Sequence, residues 1–314
     1  MSETRKSVLL HCGLIAALFV LQFVLSDYHH GNLARIMVLA SYAIGYNVLF
    51  GYTGLLSLGH AMFFAAGMYG LGLPLALGEV PAPLALLLGI GAGVALSAGV
   101  GFLALRTSGV AFMIVTLMFA QAVYLTILFF GTYTRGDEGF VIQPAERLFF
   151  GVDLSDPTNR YFAALILFST SLMLTWKLVR SAFGKVLVAI RENEERARML
   201  GYDIFRQKLF AVIVSGTIAA AAGASYGLLF GYAGATFATV QYSIFPLLWV
   251  LLGGAGTVLG PFVGTLFMFY LIDLSSGFTN AYMLIAGVAL VLLTLFARQG
   301  LMGLVRKKVW PWLE

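Results

Sequence analysis

Apolar residues run in long blocks along the chain, separated by short polar stretches. The blocks lie at about 7–26, 33–50, 58–78, 84–105, 110–131, 160–178, 207–231, 240–253, 257–274 and 279–297. A bilayer-spanning helix needs about 20 mostly apolar residues. The expected fold is therefore all-α, a polytopic membrane protein of eight to ten crossings, with ten preferred. The eighth block is short and reads either as a full crossing or as a broken, re-entrant one. The first block is long and no small-x-small cleavage site follows it, so an uncleaved helix is expected there. Residues 1–314 read as a single transmembrane domain with two sizeable segments outside the bilayer, an outer loop at 132–159 and an inner segment at 179–206.

Composition agrees. Hydrophobic residues make up 60% of the chain and charged ones 11%, against about 25% charged in a soluble domain. That is too little charge for a polar shell, and lipid removes the need for one. The net charge of +5 bears on sidedness, not on nucleic acid. With ten crossings and a cytoplasmic N-terminus, only Arg35, Arg135, Arg147 and Arg160 of the nineteen Lys and Arg residues fall outside. This is the bias of the positive-inside rule. Omitting one crossing would expose either the 177–208 cluster or the C-terminal cluster, so both termini are expected in the cytoplasm. Cys12 is the one cysteine, read as a small buried apolar residue, and no internal disulfide can form.

The outer loop carries Asp137, Glu138, Glu146, Asp153 and Asp156 among turn formers. The inner segment is the only charge-dense stretch. AIRENEERARML (189–200) predicts one helix with Glu192–Arg196 and Glu194–Arg198 at i,i+4 spacing, and Gly201 predicts its C-terminal stop. Gly253–Gly256 reads either as close helix packing or as a hinge lining a pathway. Gly51-Tyr-Thr-Gly54 and Gly231-Tyr-Ala-Gly234 end helices of opposite direction, as an inverted repeat of helices 2–5 and 7–10 would make them.

Candidate chemistry is sparse. No G-x-x-x-x-G-K-[ST] run occurs, since Gly184-Lys185 is followed by Val186. Nor is there a dinucleotide fingerprint, an H-E-x-x-H or a paired-cysteine metal spacing. His29 and His30 are expected in a short outer loop with diverging side chains. No enzyme activity, metal or cofactor is therefore expected of this chain. The densest polar run at a membrane boundary is 51–60, with Asn47 one turn before it. It breaks one helix and starts another, with Ser57 as a candidate cap. Two readings fit: a helix start presenting N–H groups to a ligand, or a tight turn with His60 bonded to a neighbouring helix. Gln121 either faces a pathway or bonds across helices, and Asp273 lies near the outer end of its helix.

GYTGLLSLGHAMFFAAGMYG (51–70) resembles the early signature of the branched-chain amino acid ABC-transporter permeases of the LivM type. In order along the chain, TRGDEGF (134–140), SAFGKVLVAIRENEERARMLGYDIFRQKLFAVIVSG (181–216), LLGGAGTVLGPFVGTLF (251–267) and ARQGLMGL (297–304) resemble the same family. TRGDEGF departs from the usual glycine-rich form. The resemblance implies a membrane subunit of a bacterial inner-membrane importer. It implies a related second permease as partner, two cytoplasmic ATPases that use ATP, and an external substrate-binding protein. The cargo it implies is a branched-chain or other hydrophobic amino acid, and relatives for urea, short amides or small organic acids carry a similar run. With alternating access as the mechanism, Asn47, Tyr52, Ser57, His60 and Gln121 are the candidates for the substrate path. Arg191, Glu192, Glu194, Arg196 and Gly201 are the candidates for ATPase coupling.

Overall fold

The computed structural model describes residues 3–78, 80–279, 281–296 and 299–308. Arg298 of the expected cytoplasmic cluster lies outside the described residues, as do the side chains of Lys307 and Lys308. All ten apolar blocks are helical: α1 (Glu3–Val24), α2 (Asp27–Asn47), α3 (Ala61–Ala76), α4 (Ala82–Ala104), α5 (Val110–Phe129), and then, after the single turn α6 (Gly131–Thr134), α7 (Pro157–Arg180). The charged segment at 179–206 forms α8 (Ala182–Glu192) and α9 (Glu194–Met199). The chain continues as α10 (Ile204–Phe230), α11 (Val240–Gly253), α12 (Gly260–Ser276), α13 (Tyr282–Phe296) and α14 (Gly300–Lys308). Among the described residues six helices are long and apolar enough to cross a membrane, while α3, α11 and α12 are shorter. The molecule is an all-α polytopic membrane protein.

Its centre is α2, which is buried on every side, with Ile36, Met37, Tyr42 and Tyr46 fully enclosed. The long helices α1, α4 and α5 keep most of their surface outward, where lipid solvates apolar side chains. The packing has a regular pattern. α2 lies against α10, α3 packs on α4 and α10, and α11 packs on α12 and α2. No hydrophobic effect joins helices within lipid, so close contact depends on small residues. Gly67 is one of them: a Cβ there would overlap the Ala220 carbonyl on α10.

The outer loop is folded. β1 (Phe140–Val141) pairs antiparallel with β4 (Tyr232–Ala233), and β2 (Leu148–Phe149) pairs with β3 (Val152–Asp153). The loop is thus fastened to the segment that follows α10. Asp156 caps α7 by accepting from the N–H groups of Thr158 and Asn159, as N-cap carboxylates do. Hydrogen bonds from the Ser155 hydroxyl and N–H hold the Asp153 carboxyl below the ordinary carboxylate range.

Four expectations are corrected. His29 and His30 sit in the first turns of α2, not in a loop. They diverge as expected, His29 towards the Tyr270 hydroxyl and His30 onto the Gln22 carbonyl. Cys12 is exposed, because α1 touches the rest of the protein along one side only. Residues 189–200 are two helices. Asn193 leaves helical geometry at φ −161° and accepts from the Arg196 N–H as the N-cap of α9. Ser57 does not cap α3. Its hydroxyl accepts from Gly59 N–H, while the first N–H of α3, that of Ala61, donates to Ser243 on α11 at 2.9 Å.

Candidate functional site

One group of buried polar residues, Asn47, Thr53, Ser57, His60, Ser215, Ser243 and Thr257, lies around the end of α2. After Asn47 the helix widens into one π turn, Val48–Tyr52, and Gly54 then takes φ +76°, a left-handed conformation that favours glycine. The chain re-ascends through buried, non-helical backbone to His60. Depth follows from α10: Ser215 beside His60 is eleven residues into that helix, roughly 16 Å along its axis. The start of α3 therefore lies deep within the helix bundle. Irregular backbone is tolerated at such depth only when protein or water satisfies it.

Here protein satisfies it. The Asn47 side-chain amide donates to the Thr257 carbonyl at 2.9 Å, and its oxygen accepts from the Gly256 N–H at 3.0 Å. Asn47 thus joins the break after α2 to the break after α11. Arg191, at the end of α8, donates from Nη1 to the Gly51 carbonyl at 2.5 Å. A Cβ on Gly54 would press on the Arg191 side chain, and one on Gly256 would lie 3.0 Å from Nη1. Arg191 therefore runs between the two glycine breaks and fastens α8 to the first of them, which the Asn47 bridge joins to the second.

The remaining path candidates divide. Tyr52 is buried at the same junction. The Ser57 carbonyl accepts from the Tyr46 hydroxyl at 3.0 Å. His60 is fully buried against Tyr42, Tyr46 and Phe63, with ring centroids 5.7, 5.1 and 5.3 Å away. Its Nε2 lies 3.4 Å from Ser215 Oγ, and its Nδ1 has no hydrogen-bond partner among the described residues. Gln121 is not part of this group; it projects from the exposed face of α5.

The coupling candidates also separate. Arg191 turns inward and pairs with Glu192 at 2.8 Å. Glu194 is held by Lys208 of α10 at 2.5 Å and lies 3.6 Å from Arg198. Arg196 is exposed on α9. Gly201, at φ +89°, ends α9 in a Schellman turn, with Gly201 N–H on the Arg198 carbonyl and Tyr202 N–H on that of Ala197. The residues missed in the sequence, Ser243 and Thr257, are small polar groups within or beside apolar blocks. Their partners stand 182 and 210 positions away along the chain.

An all-α polytopic membrane protein, with a charged helix pair fastened to a backbone break inside its helix bundle, has the build of a transport subunit. The chain belongs to the family described as branched-chain amino acid transport system / permease component, whose model matches residues 30–296. It is similar to the high-affinity branched-chain amino acid transport system permease protein LivM of Salmonella typhimurium, 31% identical over 305 residues, covering 87% of this chain and 69% of that protein. LivM of Escherichia coli is 30% identical over 305 residues with the same coverage. A probable branched-chain amino acid transport permease protein LivM of Methanocaldococcus jannaschii is 35% identical over 108 residues, 33% of this chain and 31% of that protein. No solved structure matches the chain. The protein is a membrane permease subunit of an importer, not an enzyme.

Proposed function

We propose that this subunit forms half of a translocation pathway for branched-chain or other hydrophobic amino acids. In this reading a related second permease supplies the other half, two cytoplasmic ATPases drive the pair and hydrolyse the ATP, and an external binding protein delivers the cargo. The chain crosses the bacterial inner membrane ten times with both termini in the cytoplasm. The pairing of α3 with α4 and α10, matched by that of α11 with α12 and α2, supports an inverted repeat of α2–α5 and α10–α13.

The observation that carries the mechanism is the Arg191–Gly51 hydrogen bond beside the Asn47 bridge. ATP-driven movement of α8 and α9 would pull on the two glycine breaks together through these bonds. One break follows the π turn that ends α2 and the other follows the short, proline-containing α11, so a small rigid shift of the helix pair opens or closes the inner half of the pathway. The exposed Arg196 and Glu195 are the contacts offered to the ATPase. Glu194 and Gly201 set the angle of α9, and Glu192 steers Arg191. Asn47, Tyr52, Ser57 and His60 form the inner wall of the path, and Gln121 faces it from α5 across the interface with the second permease.

The test is uptake by the complete importer in proteoliposomes, with labelled leucine, phenylalanine, urea and acetate as competing cargoes. ATP-dependent leucine accumulation is expected. Uptake of urea or acetate with leucine excluded would replace the amino-acid reading, and ATP-independent uptake of any cargo would remove the ATPase partners.

A further inference from the structure

Of the four cations expected on the outer side, three meet at the end of α10. Arg35 of α2 and Arg160 of α7 lie over the Phe230 ring, with guanidinium carbons 5.2 and 5.8 Å from its centroid. Arg147 of the outer loop points Nη1 at the Leu229 carbonyl, 3.5 Å away. Arg160 is within electrostatic reach of both other arginines. The positive-inside rule disfavours cations on this side, so it gives no reason for the cluster. Among the described residues none of the three forms an ion pair. Asp153 and Asp156 are near enough to act on Arg147 and Arg160, but they are engaged by Ser155 and by Thr158 and Asn159. The carbonyl end of α10 supplies about half a negative charge. Arg147 Nε and Arg160 Nε are buried without a hydrogen-bond partner, and Arg35 makes no hydrogen bond among the described residues. Arg35 is exposed although it stands roughly 12 Å along the axis of α2 from Asp27. An ionisable group so placed in a membrane helix faces the bundle interior or a water-filled path. From Phe230 a chain of rings leads inward through Tyr226, Phe237, Tyr242, Tyr42 and His60, with successive centroids 4.7, 5.0, 5.0, 6.0 and 5.7 Å apart. The first four of these rings, Phe230 to Tyr242, are only half-buried.

We propose that Arg35, Arg147 and Arg160 form the outer entry site of the pathway, which takes the carboxylate of the cargo while the half-buried rings beside them take its apolar side chain. A guanidinium fork matches a carboxylate with two parallel bonds. Arg35, whose donors are unengaged, is the principal ligand. Arg147 and Arg160, each held by a backbone carbonyl, add positive field on the other sides. The chain of rings then leads from this site to His60. The site rests on the amino-acid reading above and adds the chemical class it admits: a small carboxylate with an apolar tail, not urea or an amide.

The test uses the complete importer in nanodiscs, without the external binding protein, and reads weak binding of leucine, leucinamide and urea by saturation-transfer NMR. Leucinamide keeps the side chain and lacks the carboxylate. The variants are Arg35→Gln and Arg35→Lys. The control is Arg135→Gln, which removes the fourth outer cation, outside the cluster. Arg35→Gln is expected to bind leucine roughly tenfold more weakly, the loss of one charged hydrogen-bonding partner. Leucinamide binding should not weaken, Arg35→Lys should fall between, and Arg135→Gln should match wild type. Equal leucine affinity in wild type and Arg35→Gln, parallel weakening of leucine and leucinamide, or an equal loss in Arg135→Gln overturns the site and leaves the amino-acid reading standing. So does loss of the second permease from the Arg35→Gln complex, which gives Arg35 to the subunit interface. Absence of leucine binding to the wild type also overturns the site, and binding of urea in its place overturns the amino-acid reading with it.

Discussion

Replacing Asn47 by Leu removes one bridge and tests whether it carries the join between the two breaks. Leucine has a similar volume, so the change leaves little cavity and isolates the polar loss. Two hydrogen bonds disappear, at 2.9 and 3.0 Å, and both partners are backbone groups of the 254–257 turn, Thr257 buried and Gly256 half-buried. Interhelical side-chain bonds in membranes average about 0.6 kcal/mol each, because the unfolded chain re-partners within the bilayer. In proteins generally a bond contributes about 0.5–1.5 kcal/mol net. The Gly256 N–H and Thr257 carbonyl have left helical geometry and have no intrahelical substitute, so the loss falls towards the upper value, about 1–3 kcal/mol for the pair. Asn47→Asp should cost more than Asn47→Leu, since it sets a carboxylate oxygen against the Thr257 carbonyl. Equilibrium unfolding in mixed micelles titrated with dodecyl sulfate, followed by tryptophan fluorescence, measures both. A loss below about 0.5 kcal/mol for Asn47→Leu, the range of an ordinary surface change, would refute the bridge.

Ser243→Ala leaves the first N–H of α3 without its acceptor, and a loss of about 1 kcal/mol, the usual value of an N-cap group, is expected in the same unfolding assay. Gly67→Val drives a branched side chain into the Ala220 carbonyl of α10; overpacking of this kind costs about 1–3 kcal/mol, seen as a lower unfolding midpoint and reduced membrane yield. Gln121→Leu, on the exposed face of α5, is expected to stay within about 0.5 kcal/mol of wild type in the isolated subunit, and a larger loss would place Gln121 inside the fold.

The apolar helices were legible because apolar residues run in continuous blocks separated by short polar stretches. The length of a block did not reveal where a helix starts within it. α3 begins only at Ala61, where Ser243 of α11 accepts from its first N–H, and neither end of that bond is marked locally in the sequence. The role of Asn47 was hidden for the same reason: a lone Asn near a helix end looks like a path residue until its partners 209 and 210 positions later are known. The break at Asn193 was legible and was read through. Asn followed by Glu194 and Glu195 is an N-cap with an acidic first turn, and the strong helix formers on either side masked it. Gly201 was correctly placed because a stop that needs positive φ depends only on local chemistry. Arg191 was singled out from its place in the charged segment, but its inward turn onto Gly51 could not be read from a charge pattern.

Coupling in the proposed importer depends on Arg191 carrying movement from α8 and α9 to the glycine breaks. The direct measurement is the number of ATP molecules hydrolysed per amino acid imported, in proteoliposomes holding the complete importer with wild-type subunit or with Arg191→Gln. Glutamine is shorter and uncharged, so it gives up the charged bond to the Gly51 carbonyl, worth about 1.5–3 kcal/mol, without removing the exposed face of α9. The predicted result is an assembled complex whose ATP hydrolysis persists while uptake falls roughly tenfold or more, the equivalent of about 1.4 kcal/mol of lost coupling. An unchanged ratio of ATP hydrolysed to amino acid imported in an assembled Arg191→Gln complex would contradict it.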